Sequence, residues 1–255
     1  MKILISNDDG IGATGIETLY QVLKSKSIRV TLVAPHQERS SCGHGITLHE
    51  PLRVNELAPN YYDCSGTPAD CILLGLGHIC KDDRPDLVVS GINNGANLGQ
   101  DRYYSGTIAA ARESSFRGIP SIAVSLVINK GDETFHFETA AKFVKKLIEA
   151  DIHQTIPSMS LLNINVPNIP AAEIAGAKIT FPGFQEYSEE VLERSDFKGK
   201  KYFWIGGIHQ GFRDIKGSDC NLVADKYIAL NLQNFEGKEC NLDPLKAVLE
   251  KLGYG

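Results

Sequence analysis

Short apolar runs alternate with longer segments of helical periodicity through the first 165 residues of the chain. The apolar runs, rich in β-branched side chains, cover residues 2–6, 28–34, 86–90, 120–126 and 161–166. The helical segments between them cover residues 14–25, 67–80, 106–117 and 133–150. This alternation is typical of βαβ units that build a parallel sheet. We therefore predict an α/β fold, with three layers and a Rossmann-like, mostly parallel sheet.

Local signals refine this prediction at two places. Thr67 supplies a capping hydroxyl, Pro68 suits the first helical position and Asp70 adds an acid in the first turn, so a helix should begin there. Residues 43–56 have an extended pattern, which predicts a hairpin inserted beside the sheet.

The pattern changes after Pro167, where Pro, Gly, aromatic and charged residues mix without a helical period. A strand is predicted at residues 222–232, and Asp243 opens a short terminal helix. We therefore divide the chain into an α/β catalytic core, residues 1–180, and a C-terminal extension of strands, hairpin and helix, residues 181–255.

The extension carries apolar surface but little core of its own. Its aromatic side chains stand among charged residues and include Tyr202, Phe203, Trp204 and Phe212. An extension of this kind commonly buries its apolar surface against a second subunit. We therefore predict a homo-oligomer.

Charge and composition exclude several classes of protein. The formal net charge is −5, and no run of Lys or Arg forms a stripe that could neutralise the phosphates of duplex nucleic acid. A run of about 18 apolar residues, the minimum for a membrane span, occurs nowhere. The apolar run at residues 3–5 is far shorter than the core of a secretory signal, and the six cysteines form no Cys-x-x-Cys pair. We expect a cytoplasmic protein with reduced thiols.

Two adjacent aspartates, Asp8 and Asp9, follow the first predicted strand. Ligands bind at this carboxyl end of the strands in open parallel sheets. Neighbouring carboxylates repel each other in a partly buried crevice unless a cation lies against them. Oxygen donors without a thiolate or imidazole cluster favour Mg²⁺ or Mn²⁺ over zinc, with Ca²⁺ as an alternative. The dipeptide alone fits a turn better, because Asp9-Gly10 is a common turn sequence.

Neutral polar residues follow the later strands. Ser40 and Asn93 could complete the coordination of a metal without adding charge. Two carboxylates and a divalent cation sum to about zero, so a phosphate dianion can approach. Ser105, Gly106 and Thr107 begin an alanine-rich helix whose free N–H groups and hydroxyls can bind an anion. Each segment taken singly is more typical of a solvated turn or an ordinary helix cap.

Residues 10–15 also fit the Gly-x-Gly-x-x-Gly pattern of dinucleotide binding. The next strand ends at Val33-Ala34-Pro35 without the acid that binds a ribose hydroxyl in that motif. The two aspartates would also face the pyrophosphate without compensation. A dinucleotide-dependent oxidoreductase is therefore the weaker alternative.

Six segments, in order across about the first 170 residues, carry a resemblance to a known family. They are Asn7-Asp8-Asp9-Gly10-Ile11 with Gly15-Ile16, Ala34-Pro35 with Glu38-Arg39-Ser40, Gly66-Thr67-Pro68-Ala69-Asp70-Cys71, Asp86-Leu87-Val88-Val89-Ser90-Gly91-Ile92-Asn93 with Gly95 and Asn97, Ser105-Gly106-Thr107, and Leu162-Asn163-Ile164-Asn165-Val166-Pro167. Together they resemble the SurE family, the stationary-phase survival proteins that act as 5′/3′-nucleotidases. The sequence departs from the family at Ser41-Cys42-Gly43-His44, where small residues are commoner.

The resemblance implies phosphate release from nucleoside monophosphates, with 3′-nucleotidase and exopolyphosphatase activities as possible additions. It implies one Mg²⁺ or Mn²⁺ per subunit, bound by residues that match Asp8, Asp9, Ser40 and Asn93. It also implies homodimers or homotetramers built partly by exchange of C-terminal elements.

We hypothesise that water attacks phosphorus in line with the departing nucleoside oxygen. Asp8 and Asp9 are the predicted catalytic residues, and either could accept the proton of the water or act as the nucleophile itself. Asn97 and the helix start formed by Ser105, Gly106 and Thr107 would bind the phosphate oxygens.

Two histidines, His36 and His44, are candidate acids for the leaving group, although a structural or solvated role is more typical of each. A rival hypothesis is a regulatory module that binds nucleotides without hydrolysing them.

Overall fold

A computed structural model describes residues 1–236 of the chain. Its strands are β1 (Lys2–Ser6), β2 (Arg29–Pro35), β3 (Val54–Ala58), β4 (Tyr61–Cys64), β5 (Leu87–Asn94), β6 (Ser121–Val127), β7 (Ser160–Pro167), β8 (Gly176–Ile179), β9 (Gln185–Tyr187), β10 (Val191–Ser195), β11 (Lys201–Ile205), β12 (His209–Phe212) and β13 (Tyr227–Asn234). Its α-helices are α1 (Thr14–Leu23), α2 (Pro68–Leu74), α3 (Gly106–Phe116), α4 (Phe137–Glu149) and α5 (Asp219–Ala224). A π-helical turn, Gly75–Ile79, extends α2, and short 3₁₀ turns lie at Gly99–Tyr103, Ile152–Gln154 and Ala171–Glu173.

Nine strands form the main sheet in the order β3-β4-β2-β1-β5-β6-β7-β13-β8. Pairing is parallel from β4 through β2, β1, β5 and β6 to β7, whereas β3 and β13 run antiparallel to β4 and β7. In the sheet, β2 lies on one side of β1 and β5 lies on its other side. A ligand crevice therefore opens where the loops after β1 and β5 part.

Alternate residues of β1 point into two separate cores. Ile3 and Ile5 belong to the larger cluster, which includes the apolar faces of α1 and α4. Leu4 belongs to a second cluster with residues of α2 and Ala110 of α3. Because successive side chains of a strand point to opposite faces, helices cover both faces of the sheet. The three-layer α/β prediction is confirmed.

The helix start at Thr67 is also confirmed. The Thr67 hydroxyl accepts from the Asp70 N–H at 3.2 Å, and the Asp70 carboxylate accepts from the Thr67 N–H at 2.9 Å. These reciprocal bonds form a capping box, which satisfies two backbone donors of the first turn.

Three sequence predictions need correction. Residues 43–53 form no strand, and the hairpin beside the sheet is made by β3 and β4 instead. The strand predicted at residues 222–232 begins at Tyr227, because the Ser218 hydroxyl accepts from the Asn221 N–H and starts α5. Helix α4 begins at Phe137 rather than at residue 133. The terminal helix predicted at Asp243 lies outside the described residues.

Residues 185–212 form an antiparallel arm. Its outer strands, β9 and β12, pair with each other. Its inner strands, β10 and β11, also pair with each other, and Leu192 lies opposite Trp204 in their register. None of the helices in residues 1–236 has the length and apolar character needed to cross a bilayer.

Candidate active site

Asp8 lies directly after β1 and is held by the start of α3. Its carboxylate accepts from the Gly106 N–H at 3.1 Å and from the Thr107 hydroxyl, and its side chain is buried. A Cβ atom at position 106 would lie 2.7 Å from the Asp8 Cβ, so only glycine permits this approach. The glycine and the hydroxyl therefore orient a carboxylate, although their sequence context suggested contact with phosphate.

Asp9 is held by the loop that continues β5. Its carboxylate accepts from the Asn94 N–H at 3.0 Å. Burial raises the pKa of Asp9 to about 6, and the negative charges of Asp8 and Glu38 add to the shift. Burial likewise raises the pKa of Asp8, against the hydrogen bonds from Thr107 and Gly106. A bound cation would relieve both carboxylates of this electrostatic cost.

No ion pair within residues 1–236 includes Asp8 or Asp9. The described residues also contain no group of three or more His, Cys, Asp or Glu side chains that could hold a metal. Any metal at this site therefore depends on two carboxylates and on neutral oxygen donors.

Asn93 supplies one such neutral donor beside Asp8. Its amide oxygen lies 3.3 Å from the Thr107 hydroxyl, the same hydroxyl that donates to Asp8. Its amide nitrogen donates to the Gly95 carbonyl at 2.9 Å, which turns the amide oxygen towards the acid pair. Asp8 and Asn93 thus each have a side-chain oxygen atom next to the Thr107 hydroxyl.

Ser40 lies on the loop after β2, and this loop is tied to the acid pair through the backbone. The Arg39 N–H donates to the Asp8 carbonyl at 2.7 Å. The Ser40 hydroxyl donates to the Glu38 carboxylate at 2.5 Å. Ser40 lines the same cavity as Asp8, Asp9 and Asn93. This set of hard oxygen donors fits Mg²⁺ or Mn²⁺.

Of the residues predicted to bind phosphate, Asn97 and Ser105 line the cavity, whereas Gly106 and Thr107 lie behind Asp8. The Ser105 hydroxyl accepts from the Ile108 N–H at 3.0 Å and caps α3. As a cap it keeps its own proton, which it can donate to a ligand oxygen.

Asn97 is held by two asparagines of β7, for which the sequence alone predicts no role. The Asn97 N–H donates to the Asn165 side-chain oxygen at 2.8 Å, and the Asn97 carbonyl accepts from Asn163 and Asn165 at 3.0 and 3.1 Å. The Asn97 side-chain amide donates to Ser125 at 2.8 Å. The asparagines stand two residues apart on one buried strand, a spacing that places both on one face.

The cavity in front of the acid pair has a volume of about 1150 Å³. Its charged wall residues are all acidic, namely Asp8, Asp9, Glu38 and Asp101. The wall formed by residues 1–236 contains no Lys, Arg or His. The cavity therefore repels a phosphate dianion unless a cation is bound.

Aromatic residues form much of the remaining wall, and no sequence motif predicts a place for them in the site. They are Tyr104, Phe135, Phe137, Phe184 and Tyr187. Phe184 directly precedes the arm and Tyr187 lies in its strand β9; residues 205–207 of the arm also reach the cavity.

The candidate histidines lie outside the cavity wall. His36 Nδ1 is 3.1 Å from the Cys64 carbonyl oxygen. His44 Nε2 is 3.0 Å from the Glu113 carboxylate, and its ring stacks on Phe116. Their contacts favour structural roles.

Comparison with known proteins shows the family of the chain. The family model described as survival protein SurE matches residues 3–189. The 5′-nucleotidase SurE of Myxococcus xanthus is 43% identical over 236 residues, covering 92% of this chain and 88% of the relative. The 5′-nucleotidase SurE of Geobacter sulfurreducens is 44% identical over 223 residues, covering 88% and 84%. The crystal structure of SurE from Aquifex aeolicus matches with a TM-score of 0.85 and 36% identity, covering 98% of this chain and 100% of that chain. The chain belongs to the SurE family.

Proposed function

We propose that this protein is a metal-dependent nucleotidase that hydrolyses nucleoside monophosphates to nucleoside and phosphate, acting at the 5′ position. The names of the relatives from Myxococcus xanthus and Geobacter sulfurreducens support the reaction class. Family membership also favours hydrolysis over the oxidoreductase alternative.

The observation that carries the proposal is the charge of the cavity wall. Asp8, Asp9, Glu38 and Asp101 face the space that a phosphate would enter, and no basic side chain of the described wall opposes them. One divalent cation, Mg²⁺ or Mn²⁺, held by Asp8, Asp9, Ser40 and Asn93 would supply positive charge and polarise a phosphate oxygen. A module that binds nucleotides without a metal would bring the dianion against uncompensated carboxylates.

The chain's own residues position the reacting groups. Gly106 and Thr107 hold the Asp8 carboxylate in one orientation, so its geometry is set before substrate binds. Asp8 and Asp9 are the carboxylates that can accept the proton of an attacking water. The Ser105 hydroxyl and the anchored Asn97, which line the cavity, would donate to phosphate oxygens, while Gly106 and Thr107 hold Asp8 at the same helix start.

Phosphate release from EDTA-treated protein tests the proposal. We expect no release from adenosine 5′-monophosphate until Mn²⁺ or Mg²⁺ is added. Asp8→Asn should then reduce release by about 100-fold or more with an unchanged fold, because the metal loses a charged ligand. Asp82→Asn, at an exposed loop position, is the matched control and should leave release unchanged. Turnover that persists in EDTA, or near-normal turnover in Asp8→Asn, would contradict the metal assignment. Nucleotide binding without any release would favour the regulatory module.

We also propose that residues 181–255 form an extension through which the chain assembles into homodimers or homotetramers in the cytoplasm. The exposed apolar side chains of the arm support this proposal, since single subunits rarely expose so many together. They include Val191, Phe197, Phe203, Trp204 and Ile205. Light scattering during size-exclusion chromatography gives the mass of the assembly, and a mass equal to one chain would contradict the proposal.

A further inference from the structure

The aromatic part of the cavity wall has no role in metal or phosphate binding. Four of its rings, Tyr104, Phe135, Phe184 and Tyr187, are partly exposed. Aromatic rings that face a polar cavity offer a surface on which a planar group can stack. The cavity also has room for more than a phosphate, with a volume of about 1150 Å³.

Phe135 is connected through a second ring to the strand that carries a proposed metal ligand. It contacts the buried ring of Phe137 at a centroid distance of 6.3 Å. Phe137 packs on α1, where a Cβ at Gly15 would lie 3.1 Å from its ring and 2.0 Å from the Ile92 carbonyl oxygen. Ile92 directly precedes Asn93. These contacts connect Phe135, which lines the cavity with 49% of its surface exposed, to the strand that carries Asn93.

Two of the other exposed rings already have polar partners. The Arg213 guanidinium lies 4.0 Å from the centroid of Phe184. The Tyr187 hydroxyl donates to Asp101, and its ring is 5.4 Å from the ring of His209. Both rings are therefore already engaged by charged or polar groups of the chain, whereas the recorded ring contact of Phe135 is with the apolar Phe137.

Building on the nucleotidase activity proposed above, we propose that the nucleobase of the substrate stacks on the ring of Phe135. Stacking depends on the π-face that every base shares, so purine and pyrimidine nucleotides should both be accepted. The wall residues that could add hydrogen bonds are neutral amides and hydroxyls, such as Asn94, Gln100 and Ser188.

Steady-state kinetics of Phe135→Ala test the stacking role. We expect the KM for adenosine 5′-monophosphate to rise about tenfold with kcat changed less than twofold, because a base contact is lost and the reacting atoms are untouched. The KM for ribose 5-phosphate, which has no base, should stay unchanged. Phe181→Ala is the matched control, since Phe181 is 48% exposed and does not line the cavity. Equal losses for both substrates would overturn the proposal. So would a loss that follows Tyr104→Ala but not Phe135→Ala.

A binding measurement separates this proposal from the nucleotidase activity. In a Trp204→Phe background, Phe135→Trp places the single indole of the chain in the cavity wall. With Mg²⁺ present, we expect adenosine 5′-monophosphate to quench its fluorescence and ribose 5-phosphate to leave it unchanged. An unquenched indole in a protein that still releases phosphate would overturn the stacking proposal and leave the nucleotidase proposal standing. Quenching by the nucleotide in a chain whose wild type releases no phosphate would support stacking and overturn the nucleotidase activity.

Discussion

Replacing Asp9 by Asn should stabilise the metal-free protein and abolish its response to metal. Burial raises the pKa of Asp9 from its ordinary 3.8 to about 6. The folded chain therefore binds this proton more tightly than the unfolded chain, and stability falls as the pH rises from about 4 to about 6. At pH 7 this difference in pKa is worth about 3 kcal/mol. We reduce it to about 2 kcal/mol because Asp9 is partly exposed to solvent.

Thermal unfolding in EDTA at pH 7 measures this effect. The amide oxygen of Asn can still accept from the Asn94 N–H, so the substitution removes the charge and keeps the hydrogen bond. For a chain of this size, about 2 kcal/mol corresponds to a rise in Tm of about 4–8 °C. The difference in Tm between Asp9→Asn and the wild type should decrease as the pH falls from 6 towards 4, because the wild-type carboxylate then becomes protonated.

Adding Mn²⁺ should raise the Tm of the wild type and leave that of Asp9→Asn nearly unchanged, since only the wild type keeps both charged ligands. Asp82→Asn, the exposed control, should respond like the wild type. A lower Tm for Asp9→Asn in EDTA would refute the electrostatic reasoning. An equal rise on adding Mn²⁺ would refute the ligand assignment.

Three further substitutions give measurable outcomes. Gly106→Ala places a methyl group 2.7 Å from the Asp8 Cβ, and we expect phosphate release to fall about 100-fold because the carboxylate is displaced. The hydrogen bond from His44 holds the pKa of Glu113 below its usual range, so its stabilisation is present at neutral pH and lost in acid. Glu113→Gln should therefore cost about 2 kcal/mol in urea unfolding at pH 7 and much less at pH 3; an equal cost at both pH values would contradict this. Trp204→Asp puts a charge on the exposed arm and should reduce the mass seen by light scattering; an unchanged assembly would place the interface elsewhere.

The order of elements through Pro167 could be predicted because each strand and helix buries a face that its own periodicity shows. The conformation of residues 43–53 could not be predicted, because side chains distant in the sequence hold this segment. The Thr47 N–H and hydroxyl donate to Asp70 at 3.0 and 2.6 Å, and the Thr67 hydroxyl donates to the Gly45 carbonyl at 2.7 Å. A local pattern does not show bonds across more than 20 residues.

The acid pair could be located from the sequence because it directly follows a strand that points at the crevice. The support of Asp8 by Gly106 and Thr107 could not be predicted, because these residues of α3 lie 98 and 99 positions from Asp8 in the sequence. Phe135 lies in an irregular segment without a period, so only the fold brings it to the cavity.

Anomalous scattering from crystals soaked in Mn²⁺ addresses the metal site most directly. We expect one strong peak per chain between the carboxylates of Asp8 and Asp9, with the oxygen atoms of Ser40 and Asn93 facing it. A map with no peak at this position, and with the two carboxylates turned apart, would contradict a metal-dependent reaction at the end of β1.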